Sequence, residues 1–290
     1  MSEILNTIEN DSSSAKSSTA AKPFLRWAGG KRWFIKDILE LTKDLKFNKY
    51  HEPFLGGGSI FFALKPEKAF LSDLNSELIE TYKVVKWAPK KLISHLNSYL
   101  NTEDEYYEIR KKQPQSVIEK AAQFIYLNNT SYNGIYRVNK NGIYNVPYGF
   151  KKNYSINETN ILNVRSALKT ATLTHGDFTC IEKNIAKNDL VFLDPPYTVS
   201  HDNNGFIAYN QRLFSLDDQK RLSNLIDFIK SEGAYYVLTN AAHDEIKKIF
   251  SKDDRLIELK RACTIGGLNA KREKVTEYIF TNVGKEEGGR

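Results

Sequence analysis

The residues best suited to chemistry stand together at Asp194-Pro195-Pro196-Tyr197, directly after the apolar segment 189–193. A brief apolar run that ends in a breaker is typical of a buried parallel strand, and two prolines cannot continue a sheet ladder. The strand therefore ends in a stiff turn with a carboxylate, a carbonyl and an aromatic ring. Two acceptors and a ring face suit a planar amino group. A helix-capping Asp before an ordinary Pro-Pro turn explains these four residues equally well.

A second candidate site is the glycine-rich turn Leu55-Gly56-Gly57-Gly58-Ser59. It lies between a predicted strand at 49–54 and an apolar helix at 60–64, and a second predicted strand at 69–72 ends at Asp73. This order predicts a βαβ unit, in which an acid at that place can accept both hydroxyls of a ribose. The lysine of a phosphate-binding P-loop is missing from its required position. Asp73 also precedes a predicted helix and can cap it, and the two roles are compatible.

The segment Phe24-Leu25-Arg26-Trp27-Ala28-Gly29-Gly30-Lys31 precedes a first helix that apolar spacing predicts over 31–45. A Trp followed by small residues and a Lys is a poor helix signal and suits a lid over a ligand. A buried Trp that anchors the first helix explains the same pattern.

The elements that must position these residues follow two patterns. Residues 23–74 and 171–290 alternate predicted helices and strands, which indicates an α/β domain with a Rossmann-like sheet and helices on both faces. Residues 75–170 carry long helical patterns without strands, followed by a hairpin signal at Asn141-Gly142. We therefore predict a Rossmann-like domain that is interrupted by a mostly helical insertion with a β-hairpin. Residues 1–22 lack apolar periodicity and are predicted to be a disordered tail.

Composition bounds the class of protein. The chain of 290 residues has 41% hydrophobic and 27% charged residues, as in ordinary soluble domains. No apolar run reaches the roughly 18 residues of a membrane span, and no signal-peptide pattern is found. The two cysteines and five histidines have no metal-ligand spacing, and the cysteines fit a reducing compartment. The net charge of +7 favours a polyanionic partner.

Positive charge and aromatic rings coincide in the insertion, where no acidic residue occurs between Glu119 and Glu158. This interval contains Lys120, Tyr126, Tyr132, Tyr136, Arg137, Lys140, Tyr144, Tyr148, Lys151, Lys152 and Tyr154. Uniform positive charge attracts phosphates, an Arg can bind guanine bidentately, and a ring can wedge a base stack. Tyrosines packed on helices would explain the rings but not the missing acids, so we favour a nucleic-acid interface. A second basic loop, 266–272, is a weaker candidate for phosphate contacts.

Taken in order, these motifs resemble those of the Dam-type DNA adenine-N6 methyltransferases over about residues 23–283. The segments that carry the resemblance are 24–31, Glu52-Pro53-Phe54-Leu55-Gly56-Gly57-Gly58-Ser59, Ser72-Asp73-Leu74-Asn75, Tyr132-Asn133-Gly134-Ile135-Tyr136-Arg137, Asn145-Val146-Pro147-Tyr148-Gly149, Gly176-Asp177-Phe178 and Asp194-Pro195-Pro196-Tyr197. The resemblance implies a class I enzyme of the alpha group, in which target recognition is inserted between the cofactor-binding and catalytic motifs.

The implied cofactor is S-adenosylmethionine, without a metal. Its contacts would come from Trp27, Lys31, Phe54, Gly56, Gly58, Asp73, Asp177, Phe178 and Asp194. Asp73 would hold the ribose, and Asp177 with Phe178 would lie at the adenine, where the carboxylate accepts from the exocyclic amine. Catalysis would depend on Asp194, Pro195, Pro196 and Tyr197.

The implied partner is double-stranded DNA, contacted by Arg26, Tyr132, Asn133, Ile135, Arg137, Pro147 and Lys151. Tyr132 would lie beside the target, and Arg137 and Pro147 would read bases. GATC, the commonest site of the family, is the predicted sequence, with a different or longer site as the alternative. A restriction endonuclease that acts on the same site would be a functional partner without a direct complex.

Two rival functions fit parts of the pattern. Enzymes that methylate cytosine N4 or glutamine amides use a related turn, usually with Ser or Asn where this chain has Asp194. A non-catalytic DNA-binding protein could retain the fold, but the intact set of cofactor residues argues against it.

Overall fold

The computed structural model describes residues 20–139, 142–150, 154–197, 214–262 and 274–284. Within these ranges a seven-stranded sheet has the order β3-β2-β1-β4-β5-β7-β6. The strands are β1 (Tyr50–Glu52), β2 (Ala69–Asp73), β3 (Ala171–His175), β4 (Leu190–Leu193), β5 (Tyr235–Ala241), β6 (Arg255–Ala262) and β7 (Lys274–Thr281). Strands β1 to β5 are parallel, and β7 runs antiparallel to both of its neighbours.

The helices lie before, between and after these strands. Those in the described ranges are α1 (Ile35–Thr42), α2 (Ser59–Leu64), α3 (Ser76–Trp87), α4 (Pro89–Asn97), α5 (Glu103–Lys111), α6 (Val117–Thr130), α7 (Glu158–Ala167), α8 (Leu216–Ser231) and α9 (Asp244–Phe250). None of them combines the length and the apolar character that a membrane crossing requires.

Helices cover both faces of the sheet. On one face, Phe192 and Val237 belong to a core with residues of α1, α2 and α3. On the other face, Leu193 and Leu238 pack with Leu222 of α8 and Ile246 of α9. This alternation along each strand places successive side chains in different cores. The predicted α/β fold with a Rossmann-like sheet is confirmed.

The order of the strands fixes where a ligand can bind. From β1 the chain moves outward through β2 to β3, then returns to β4 on the other side of β1. The carboxyl ends of β1 and β4 therefore flank a topological switch point, where open α/β sheets bind their ligands. Glu52 ends β1, and Asp194 directly follows β4.

The chain between β2 and β3 is helical and ends in a hairpin. Helices α3, α4 and α6 pack on one another. In the hairpin, Val138 and Tyr144 form an antiparallel bridge, and Asn139 N donates to Ile143 O at 2.8 Å. Gly142 has φ +74°, a conformation that glycine adopts without strain. The hairpin predicted from the Asn-Gly pair is therefore present on either side of residues 140–141.

Some predicted elements differ from the structure. The helix predicted over 31–45 is a 3₁₀ turn at Arg32–Phe34 followed by α1. The 3₁₀ turn begins after Lys31, whose side chain pairs with Asp194. This tertiary contact outweighs the local pattern that predicted an α-helix from residue 31. The helical patterns predicted within 75–170 lie at 77–86, 90–100 and 116–128, so α5 and α7 fall outside them, and no pattern predicts α9. The predicted disordered tail falls almost entirely on residues 1–19, outside the described ranges.

Candidate active site

Asp194 lies at the carboxyl edge of the sheet and is held by two partners. Its Oδ1 is 2.6 Å from Nζ of Lys31, and it accepts a hydrogen bond of 2.8 Å from Oγ1 of Thr239 in β5. Nζ of Lys31 also donates to Gly29 O at 3.1 Å. Both partners use Oδ1, and no described residue donates to Oδ2. The carboxylate is thus fixed in orientation while one oxygen remains able to accept.

The buried surroundings of Asp194 and Glu52 disfavour the ionised forms of both carboxyl groups. Burial raises the pKa of Asp194, and the charge of Glu277 adds to that rise, while Lys31 and Thr239 lower it. Glu52 is 2% exposed, and burial raises its pKa to about 8, with Asp194 and Asp73 contributing in the same direction. A hydrogen bond of 2.8 Å from Tyr50 to Glu52 opposes the shift. At neutral pH Glu52 is therefore mostly protonated, and a cationic ligand nearby would favour its ionised form.

Tyr197 lies beside the same pair. Nζ of Lys31 is 4.9 Å from the centroid of the Tyr197 ring, and the Tyr197 hydroxyl donates to Oε2 of Glu277 in β7. Pro195 is buried and Pro196 is exposed. The structure thus brings Lys31, Asp194 and Tyr197 together.

The glycine turn is closed by Asp73. Its Oδ2 accepts from Gly56 N at 2.9 Å, and its Oδ1 accepts from Asn75 N at 2.9 Å. Burial raises the pKa of Asp73, and these backbone donors lower it. The alternative prediction, that Asp73 caps the following helix, is wrong, because Asn75 is the N-cap of α3 and accepts from Leu78 N. Each carboxylate oxygen has a second lone pair and can accept again.

Trp27 packs against the glycine turn. Gly56 has φ +46°, and a Cβ there would lie 2.6 Å from Cδ1 of Trp27, so the indole approaches the backbone only because the residue is glycine. The indole stacks on Tyr136 at 5.7 Å and on Phe124 of α6 at 6.5 Å. Trp27 therefore joins the glycine turn to the insertion. Both of its ring stacks within the described ranges are with residues of the insertion.

An aromatic cluster lies between β1 and β3. Phe54 stacks on Phe178 at 5.5 Å, and Phe214 contacts both rings. Asp177 caps the 3₁₀ turn that begins at Phe178, and its Oδ1 is 2.7 Å from Nη2 of Arg221 in α8. The guanidinium of Arg221 lies 4.8 Å from the centroid of Phe178. Asp177 thus has one oxygen committed to Arg221 and the turn, while Oδ2 has no hydrogen-bond partner within the described ranges.

The predicted DNA-contacting residues gather around the base of the hairpin. Arg26 is exposed and crosses Gly134, where an added Cβ would lie 2.3 Å from Cδ of Arg26. The side-chain amide of buried Asn128 pairs with the backbone of Arg26 in both directions at 2.8 Å. Tyr132 is 56% exposed, and its N–H donates to Pro147 O at 2.9 Å. Arg26, Tyr132 and Pro147 therefore share one surface.

Arg137 is exposed and folds back on the hairpin, where its Nε donates to Oδ1 of Asn145 at 2.8 Å. Asn133 is exposed with φ +55°, and Ile135 is half-buried. Lys151 lies outside the described residues. The structure therefore groups six of the seven predicted DNA-contacting residues near the hairpin.

The tyrosines of the insertion do not form a surface. Of the six tyrosines between Glu119 and Glu158, Tyr132 is exposed, whereas the other five are buried or half-buried, namely Tyr126, Tyr136, Tyr144, Tyr148 and Tyr154. Three of their hydroxyls donate to backbone carbonyls, as in the 2.8 Å bond from Tyr144 to Ile135 O. The hydroxyl of Tyr136 donates to Glu77, and that of Tyr154 has no partner within the described ranges. Packing in the insertion thus explains most of the rings, as the alternative interpretation expected, and Tyr132 is the one of the six that is exposed.

The family model described as D12 class N6 adenine-specific DNA methyltransferase matches residues 27–265. The chain belongs to this family. It is 33% identical to the Type II methyltransferase M1.LlaDCHI of Lactococcus lactis subsp. cremoris over 93% of this chain and 98% of that protein. It is 36% identical to the Type II methyltransferase M.MjaIII of Methanocaldococcus jannaschii over 89% and 96%. It is 28% identical to a DNA adenine methylase of Vibrio cholerae over 89% and 95%.

The chain is an adenine-specific DNA methyltransferase with a Rossmann-like sheet, and DNA is its substrate. The resemblance stated from the motifs is thereby confirmed. No group of three or more His, Cys, Asp or Glu side chains that could hold a metal occurs in the part of the chain that the structure describes.

Sequence reasoning missed several residues of this methyltransferase site. Thr239 and Glu277 reach Asp194 and Tyr197, Arg221 reaches Asp177, and Asn128 reaches Arg26. Thr239, Glu277 and Asn128 are fully buried. The available signal was a polar residue at a position where the pattern of a strand or helix predicts an apolar one.

Proposed function

We propose that this methyltransferase transfers a methyl group from S-adenosylmethionine to N6 of an adenine that is flipped out of duplex DNA, within GATC. The observation that carries the proposal is the fixed Asp194 carboxylate at the end of β4, with Oδ1 bound by Lys31 and Thr239. Its remaining oxygen, the Pro195 carbonyl and the Tyr197 ring supply the two acceptors and the stacking face that an exocyclic amine requires.

The residues around the glycine turn fit the cofactor. Gly56 and Gly58, both with positive φ, let the turn pack closely against Trp27, Phe62 and Tyr82. Asp73 retains acceptor capacity for two ribose hydroxyls. Phe54 and Phe178 would lie at the adenine, and Asp177 would accept from its amine. Trp27 and Lys31 would complete the site from the amino-terminal segment. When bound, S-adenosylmethionine supplies an activated methyl group and a neutral leaving group.

The charge of the crevice supports a cationic ligand. Asp194, Glu52 and Asp73 each have a raised pKa, with burial as the main cause, so their ionised forms lack compensating solvation. A positive charge placed among them would lower all three pKa values. The site is therefore electrostatically complementary to a sulfonium.

The acceptor amine is a poor nucleophile, because its lone pair is delocalised into the ring. Oδ2 of Asp194 and the Pro195 carbonyl would accept its two hydrogens and draw the nitrogen toward tetrahedral geometry. Positioning of this kind supplies most of the rate enhancement. After attack the methylated nitrogen is cationic and loses a proton readily, so Asp194 need not be a strong base. The charge of Lys31 and its hydrogen bond lower the pKa of Asp194, against the larger effect of burial.

Extrusion of the base costs a few kcal/mol of unstacking. Tyr197 would recover part of this cost by stacking on the extruded adenine. Exposed Tyr132 would take the place beside the vacated position, since an aromatic ring can wedge into a base stack. Residues 75–170 would thus serve as the target-recognition domain.

Base reading would come from the hairpin. Arg137 is exposed and pre-oriented by Asn145, and an Arg in this state can bind guanine bidentately. Pro147, Asn133, Ile135, Arg26 and Lys151 would add base and phosphate contacts. The relatives above 30% identity are named Type II methyltransferases, which supports a role beside a restriction endonuclease of the same site.

Label transfer from tritiated S-adenosylmethionine tests the proposal on two short duplexes, one with GATC and one with the site scrambled. We expect transfer to the GATC duplex alone, with the label recovered as N6-methyladenine. Transfer only to bulk genomic DNA would keep the chemistry and reject GATC. Label in cytosine would reject the acceptor.

A further inference from the structure

Glu277 is a carboxylate in an apolar place. It shares one face of β7 with Ile279 and Thr281, and all three are fully buried. A buried carboxylate is costly unless it is hydrogen-bonded. Its presence in the middle of a strand therefore indicates a specific partner.

That partner lies in the catalytic turn. The Tyr197 hydroxyl donates to Oε2 of Glu277. In the antiparallel pairing of β5 and β7, Glu277 is opposite Ala241 and Ile279 is opposite Thr239. Opposite residues lie on the same face of a sheet, so Glu277 and Thr239 point to the same side. Thr239 binds Asp194 from this side, and Glu277 binds Tyr197.

We propose that Glu277 is a positioning residue that fixes the plane of the Tyr197 ring for stacking on the extruded adenine, an inference that rests on the proposed function. A tyrosine side chain has two rotatable torsions, and a hydrogen bond at its far end restricts both. The ring is then ordered before the base arrives, and binding energy is not lost to ordering it. Lys31, at 4.9 Å from the ring centroid, restricts the ring further.

The hydrogen bond between Tyr197 and Glu277 should affect the step in which the extruded base is held, and not the binding of the cofactor. Glu277→Leu removes the acceptor at similar volume, and Tyr197→Phe removes the donor. We expect each change to lower kcat about tenfold, as loss of one hydrogen bond to a charged group predicts. The affinity for S-adenosylmethionine should stay within about twofold, because the contacts proposed for it lie elsewhere.

The double variant decides whether the two residues act as a pair. If they do, Glu277→Leu combined with Tyr197→Phe loses no more activity than either change alone. Glu277→Gln keeps an acceptor and should restore most of kcat. Glu258→Gln is the matched control, since Glu258 is an exposed glutamate on the neighbouring strand β6.

A spectroscopic readout separates positioning from folding. With 2-aminopurine in place of the target adenine, the wild type should quench the extruded fluorophore by stacking, and Glu277→Leu should leave it brighter at equal DNA occupancy. Folding is checked by thermal unfolding, and if Glu277→Leu is unfolded, Tyr197→Phe and Glu277→Gln still test the pair.

Three results would overturn the inference. The first is a wild-type kcat in a folded Glu277→Leu variant, and the second is a double variant in which the two losses of kcat multiply. The third is a Glu277→Gln variant as slow as Glu277→Leu, which would assign the effect to charge near Asp194. Absence of transfer by the wild type to any DNA would instead reject the proposed function, and the inference with it.

Discussion

The ammonium of Lys31 and the carboxylate of Asp194 form a largely buried ion pair, with 2.6 Å between Nζ and Oδ1. Lys31 is 5% exposed and Asp194 is 18% exposed. The pair fastens the amino-terminal segment to the turn after β4, so an element outside the sheet contributes directly to the site. Removing one partner of a buried pair leaves the other charge unsatisfied, which typically costs roughly 3–5 kcal/mol.

Asp194→Ala should abolish methyl transfer, since it removes the acceptor that draws the amine toward tetrahedral geometry. We expect kcat to fall at least ~10²-fold, the effect of deleting one preorganised polar group. Cofactor affinity should change only a few-fold, because most of the proposed contacts remain. Label transfer and equilibrium binding of tritiated S-adenosylmethionine measure the two quantities separately. The control is Asp217→Ala on α8, where the carboxylate is 85% exposed; loss of transfer and cofactor binding together in Asp194→Ala would show that the site is misassigned.

Arg137→Ala should relax sequence choice without stopping the chemistry. Loss of one bidentate contact to guanine reduces discrimination by ~1–3 kcal/mol. The measurement is kcat/KM on a GATC duplex and on duplexes with one base pair changed. Arg165→Ala, at an exposed position on α7, controls for the loss of a positive charge. Equal losses of kcat/KM on all duplexes would place Arg137 at a phosphate instead of a base.

Glu52 should make the enzyme less stable as the pH rises. Its pKa is raised from 4.5 to about 8 in the folded state, so between these values the folded chain retains a proton that the unfolded chain has lost. The free energy of unfolding therefore falls with pH across this window, by up to ~1.4 kcal/mol per pH unit, and levels off above pH 8. Glu52→Gln cannot ionise and should lack this slope.

Urea unfolding from pH 6.5 to 8.5 tests this expectation. Burial lowers the pKa of His51 from 6.5, so His51 acts mainly below this range, where it raises stability with pH. Glu52→Gln should gain stability relative to the wild type as the pH rises. Parallel curves for the two proteins would contradict the assignment.

Asn128→Ala should destabilise the join between the amino-terminal segment and α6. Its amide satisfies the buried N–H and C=O of Arg26, and an unsatisfied buried group costs ~1–3 kcal/mol. Asn160 provides the matched control, because it forms the same two-way pair with Lys22 at an exposed site, where water can replace it. We expect a clear loss of unfolding free energy for Asn128→Ala and less than ~1 kcal/mol for Asn160→Ala. Equal losses of unfolding free energy in the two variants would show that Asn128 stabilises the protein no more than an exposed asparagine does.

The parts of the fold that could be predicted are those with a strong local signal. The buried strand at 190–193 is a continuous apolar run, and Asp73 and Asp194 follow their strands directly. The helices α5, α7 and α9 lack such a signal, since each has only two buried hydrophobic residues. Their N-caps, Thr102, Asn157 and His243, were the readable markers.

The parts of the candidate site that could not be predicted depend on long-range packing. A basic and tyrosine-rich segment does not reveal which rings face inward, and only Tyr132 of six is exposed. Thr239 and Glu277 meet Asp194 and Tyr197 only because β4, β5 and β7 are neighbours in the sheet. No local sequence pattern specifies the order of the strands.

The segment 24–31 is held at one end beneath the hairpin by Asn128 and at the other end at the turn after β4 by Asp194. Gly134 has no Cβ to clash with the side chain of Arg26, so the hairpin base and this segment have complementary shapes. A hairpin transplanted from a relative with a different target would therefore arrive without its counterpart. Grafting a hairpin to alter specificity should therefore require that segment 24–31 be exchanged with it, because the segment that carries Arg26 under the hairpin also carries the lysine that pairs with Asp194.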